Sequence, residues 1–86
     1  MIKVNGVRLI NNEELIGQLN ETEDSISITV PLVVKYNANG YIIQTWTGIL
    51  PQDNQTVTIP KSMVMYICDV NDEISQKYNS LFEDND

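Results

Sequence analysis

Between Ser25 and Tyr36 apolar and polar side chains take turns along the chain. Ile26, Ile28, Val30, Leu32, Val34 and Tyr36 fall on one face, and Ser25, Ser27, Thr29 and Lys35 on the other. A period of two over this length predicts one long, half-buried strand. Pro31 cannot donate to a strand ladder, so it is expected on the polar side of that strand, at a bend, a bulge or an edge position.

Shorter apolar runs flank it. Val7 to Ile10 and Leu15 to Leu19 are joined by Asn11-Asn12-Glu13, residues that tolerate tight-turn dihedrals, and together they predict a hairpin. Glu21-Thr22-Glu23-Asp24 makes an acidic turn into the long strand, and Asn37-Ala38-Asn39-Gly40 turns the chain back into a strand at Tyr41-Ile42-Ile43. Thr45 to Asn54 mixes apolar and breaker residues and is expected to be a loop carrying a partly buried Trp46. Gln55 to Ile59 and Met63 to Cys68 predict two further strands, and Pro60-Lys61-Ser62 between them leaves room only for a sharp corner. Helix is predicted only at residues 71–82. Asn71 can cap it, Asp72 and Glu73 suit its positive end, and Ile74, Tyr78, Leu81 and Phe82 recur at helical spacing, an apolar stripe expected to cover the sheet.

Composition agrees with this pattern. Val, Ile and Thr number 25, against seven for Leu and Ala together, which favours strands. An 86-residue chain holds one domain. Such a small domain buries a modest fraction of its surface, and its single Cys68 closes no internal disulfide, so added stability is expected from association. The chain contains no His, which excludes every nucleophile–His arrangement and leaves a metal site nothing but carboxylates. No nucleophile–base pair is visible, so the chain is read as a non-enzyme without cofactor or metal. No apolar run resembles a signal peptide or a membrane span, and a cytoplasmic location is the expectation.

The order of a hairpin, a long bent strand and a final tightly cornered pair resembles the Sm-like (LSm/Hfq-type) family. Val7-Arg8-Leu9-Ile10-Asn11-Asn12 followed by Leu15-Ile16-Gly17-Gln18-Leu19 resembles the first Sm motif, with Gly17 at its glycine position. Ile59-Pro60-Lys61-Ser62-Met63-Val64-Met65-Tyr66-Ile67 resembles the second motif, and Lys61-Ser62 stands where bacterial Hfq carries Lys-His. The run from Pro31 through Trp46 to this corner, followed by a helix with Tyr78 and Phe82, is similar to Sm-like proteins of phages that infect marine cyanobacteria.

The resemblance implies an all-β fold: a small, strongly bent, five-stranded antiparallel open barrel over residues 1–70. A C-terminal amphipathic helix over 71–82 packs on the same domain, and 83–86 form a frayed acidic tail. It also implies a closed homo-oligomeric ring of about five to seven subunits, as natural proteins pair their open edges. Val57, Ile59, Met63 and Met65 are the expected interface residues. The implied function is RNA binding or RNA chaperoning in the cytoplasm of an infected bacterium, with Lys61, Ser62, Ser25, Ser27 and Lys35 as the contacts. The alternative is a ring-shaped protein–protein assembly module, binding a phage or host protein, that has lost the nucleic-acid site. Two departures favour that alternative. The family's base-stacking position reads Ser25, which cannot stack, and the usual corner Arg is replaced by Pro60 beside Lys61.

Other residues have plainer readings. Lys61 is an ordinary solvated turn lysine unless symmetry gathers it with Lys35 and Arg8, and Ser25 and Ser27 are polar-face strand residues. Trp46 with Tyr41 could form a stacking platform, although a lone Trp in a small β protein more often packs in a core or an interface. The Glu13-Glu14 and Glu21, Glu23, Asp24 clusters lack calcium-loop spacing and read as a solvated rim. Cys68, inside an apolar strand, is expected to be buried and inert. The net charge of −7 repels a polyanion at long range, so any single-stranded RNA should bind weakly.

Overall fold

The computed structural model describes residues 3–46 and 56–81. Its elements follow in the order β1 (Asn5–Leu9), β2 (Glu14–Glu21), β3 (Ser25–Asn37), β4 (Gly40–Thr45), β5 (Thr56–Pro60), a 3₁₀ turn at Lys61–Met63, β6 (Val64–Asp69) and α1 (Asp72–Ser80). All strand pairings are antiparallel, in the order β4-β3-β2-β1-β6, and β5 also pairs with β3. The expected Tyr41–Ile43 strand is thus longer, and the Trp46 loop beyond that residue lies outside the described residues.

The register explains how six strands make a five-position sheet. β4 lies along the second half of β3, from Asn37 opposite Gly40 to Leu32 opposite Thr45. β5 lies along the first half, from Thr29 opposite Thr56 to Ser25 opposite Pro60. Both occupy the edge of β3 that β2 leaves free, so they form one edge strand interrupted where β3 bends.

The bend is a β-bulge. Ile16 pairs with Leu32 and Gln18 with Thr29, so Gly17 alone faces both Val30 and Pro31. Val30 takes φ +51, a left-handed conformation that a β-branched residue rarely adopts. Gly17 makes the close approach possible: a Cβ there would lie 2.5 Å from Ile28 Cγ2 and 3.1 Å from the Thr29 carbonyl oxygen.

This bulge corrects the single-face reading of β3. Ile26 and Ile28 join Val7, Leu9, Leu15, Val33 and Ile59 in one core, against which Val57, Val64 and Ile67 also pack. Residues from both edge positions, β5 and β6, therefore meet in one core, and the sheet curls around it. Past the bulge the phase flips, and Val34 joins Val4, Ile16, Ile74 and Tyr78 in a second cluster on the outer face, flanked by Val30 and Leu32. Pro31 is not on the polar side but almost completely buried, because the bulge turns it inward.

The helix α1 covers the outer cluster. Its cap is as predicted: the Asn71 side chain accepts the Ile74 N–H at 2.9 Å. Tyr78 is the anchor, fully buried, with its hydroxyl directed at the Val30 carbonyl (2.9 Å) and the Thr29 carbonyl (3.2 Å), both at the bulge. Leu81 corrects the predicted stripe: it ends the helix and is 52% exposed, since the helix stops one residue before it. Phe82 and the acidic tail lie outside the described residues. No described helix is long and apolar enough to cross a membrane.

Candidate functional site

The β2–β3 turn and the β5–β6 corner meet. Thr22 closes the turn: its N–H donates to the Ser25 carbonyl at 2.8 Å, and its hydroxyl accepts the Ser25 N–H at 3.1 Å. The Lys61 N–H at the corner donates to the Asp24 carbonyl at 2.9 Å. Ser25 stands opposite Pro60, and Ser27 opposite Thr58. The fold therefore gathers Lys61, Ser25 and Ser27 in one region, with Ser62 exposed beside them. It does not bring Lys35 there. Lys35 pairs with Ile42 toward the opposite end of β3, and Arg8 lies on the outer face of the sheet.

The charge at this site is not free. Lys61 Nζ lies 2.8 Å from Glu21 Oε2, with both side chains partly exposed. Three other cations are paired likewise: Lys3 with Asp69, Arg8 with Glu14 and Lys77 with Glu73. Sequence reading missed the Lys61 pair because its members are joined only by the meeting of the turn and the corner. Exposed pairs of this kind contribute little stability, but they cancel field at short range.

The aromatic platform does not form. Trp46 packs against the inner core and its indole N–H donates to Glu13 Oε1 at 3.1 Å, whereas Tyr41 packs against the outer cluster, with Lys77 4.8 Å above its ring. The two rings serve opposite faces of the sheet.

Both edges of the sheet are unpaired among the described residues, since β5 bonds only to β3 and β6 only to β1. Of the residues expected at an interface, Met63 (41%) and Met65 (53%) are exposed, near the exposed Ile10 and Tyr66. Ile59 is 6% exposed and belongs to the inner core, with Val57 half-buried against it, because alternation along β5 turns both inward. Cys68 is a correction, exposed rather than buried, since β6 is an edge strand. Its thiol is still pushed up in pKa, first by partial desolvation and then by Glu14 and Asp69.

On the outer face lies a cluster that the sequence did not reveal. Arg8 Nη1 donates to Glu14 Oε2 at 3.0 Å, and the Tyr36 hydroxyl donates to Glu14 Oε1 at 2.8 Å. That bond to Glu14 is the main cause of the raised Tyr36 pKa. The cluster borders a cleft of about 240 Å³ between the sheet and the start of α1. The only hint in the sequence was a charged residue on each arm of the first hairpin, at positions that pair across it. The chain matches no protein-family model and no curated protein.

Proposed function

We propose that this chain is a non-catalytic, Sm-like ring-forming module that assembles with protein. The observation that carries the reading is the topology: a curled antiparallel sheet whose two edges, β5 and β6, are unpaired among the described residues and joined by a three-residue corner. Such a subunit can offer β5 to the β6 of a second copy and receive a third on its own β6. Head-to-tail pairing of this kind closes into a ring when the rotation allows it. Exposed Met63, Met65 and Ile10 supply apolar surface beside the β6 edge.

Protein is favoured over RNA by the electrostatics. Lys61, the cation an RNA strand would need at the corner, is already held by Glu21, and four of the five cations in the chain have carboxylate partners. The meeting of Ser25 and Ser27 with Lys61 supports the RNA-chaperone reading as the second one. Titration with fluorescent single-stranded RNA decides between them. At about 50 mM salt, which exaggerates electrostatic attraction, the proposal expects no saturable binding. Saturable binding that steepens at low salt and is lost in Lys61→Ala would replace the protein reading with the RNA one.

A further inference from the structure

We infer that the cleft between the start of α1 and the outer face of the sheet is a docking site for a short apolar peptide segment of a partner protein, whose backbone carbonyl is received by Arg8. The inference rests on the protein-assembly reading only for the choice of a peptide as the source of that carbonyl.

Three features of the cleft point to such an occupant. The first is an unused donor. Arg8 spends Nη1 on Glu14, and the Tyr66 side chain beside it is the main cause of its raised pKa through a side-chain hydrogen bond, yet its Nε is still buried with no hydrogen-bond partner. A buried N–H without an acceptor is uncommon in a folded protein and marks a place where an acceptor belongs. Tyr66, which pairs with Arg8 across the strands, and Tyr36, whose hydroxyl Glu14 holds, both line the cleft with exposed side chains.

The second feature is charge. Glu14 neutralises Arg8 and Asp69 also lines the cleft, in a chain of net charge −7. A carboxylate or phosphate would be repelled here, whereas a neutral carbonyl can take the donor without that penalty. The third is the apolar wall. Ile16, Val34, Val70 and Ile74 line the same space, which suits an aliphatic side chain next to the carbonyl. Gly6 keeps the floor low: a Cβ there would stand 3.1 Å from Cys68 Sγ and 3.4 Å from Val70 Cγ2. An acceptor one bond from an aliphatic group, neutral and small, is the repeating unit of a peptide.

The test uses N-acetyl-leucine methylamide as probe, with N-acetyl-leucine and N-methylacetamide as controls, on the full-length ¹⁵N-labelled protein. A probe of this size should bind with a Kd on the order of 1 mM. It should shift the Arg8 Nε–H resonance together with the amides of Gly6, Cys68 and Val70. N-acetyl-leucine should bind at least about tenfold more weakly, and Arg8→Lys, which keeps the charge but lacks the Nε–H, should weaken the probe by a similar factor. Gly6→Ala, which raises the floor, should abolish saturable shifts while the spectrum stays dispersed. The inference is overturned if the Arg8 Nε–H does not move at about 10 mM probe, if N-acetyl-leucine binds more tightly than the methylamide, or if Arg8→Lys and Gly6→Ala both bind as the parent does. Light scattering on the same sample reports assembly separately. A monomer that binds the probe would sink the ring and keep the cleft, and a ring that ignores it would do the reverse.

Discussion

Tyr78→Phe removes one oxygen from a buried side chain that ties the helix to the bulge. The ring of Tyr78 is fully buried and its hydroxyl reaches the carbonyl of Val30, which the bulge leaves without a register partner on β2, and that of Thr29 beside it. Phe keeps the ring and its packing, so the change isolates the hydroxyl. A hydrogen bond is worth about 0.5–1.5 kcal/mol net, and buried carbonyls left without a donor cost about 1–3 kcal/mol, so the loss should fall near 1–3 kcal/mol. For a domain of this size that is a fall in Tm of roughly 5–20 °C. Urea unfolding followed by circular dichroism, at one fixed protein concentration because assembly adds to apparent stability, measures it directly.

The same residue predicts a pH effect of definite sign. Burial raises the Tyr78 hydroxyl above the ordinary tyrosine pKa, with a hydrogen bond from the Gln18 side chain opposing it. The unfolded chain therefore releases this proton first. Its contribution is complete below the ordinary value of about 10 and is lost as pH rises through the raised folded-state value. Tyr78→Phe should accordingly lose less stability on alkaline titration than the parent. A variant within about 0.3 kcal/mol of the parent, with the same alkaline slope, would show that the hydroxyl does not hold the bulge.

Gly17→Ala should destabilise by about 1–3 kcal/mol, because its methyl would overlap Ile28 Cγ2 and press on the Thr29 carbonyl; an unchanged urea midpoint would refute the close approach. Asn71→Ala should cost about 1 kcal/mol and lower helical signal, while Asn71→Asp, which keeps the capping oxygen, should not. Glu21→Gln frees Lys61 from its ion-pair partner among the described residues and should raise whatever salt-sensitive affinity the chain has for single-stranded RNA, read by fluorescence anisotropy; no rise would mean that Lys61 does not face the strand.

The three hairpins, the corner and the capped helix were legible because local chemistry sets them. Asn12 takes φ +73 in the β1–β2 turn, Gly40 φ +135 in the β3–β4 turn, and Asn71 caps α1 through its own side chain. The bulge was not legible in its consequence. Pro31 and Gly17 each signalled a disturbance, but the alternation of Ile28, Val30, Leu32 and Val34 runs through it unbroken in sequence. Only the pairing of one residue with two reveals that the faces exchange. The site was half legible for a similar reason. Lys61 and Ser25 could be placed near each other by resemblance, yet the Glu21 partner that neutralises the lysine depends on how the turn and the corner meet. The Arg8–Glu14–Tyr36 cluster needs three strands in register before its members face one another.

The claim that the unpaired β5 and β6 edges join neighbouring copies is tested most directly by multi-angle light scattering on the intact chain and on Met65→Lys, which places a charge on the exposed side of β6. The account predicts that the parent has a mass of about five to seven times its 9.8 kDa subunit and that the variant is a folded species of lower mass. A parent that elutes as a 9.8 kDa monomer throughout the micromolar range would contradict it.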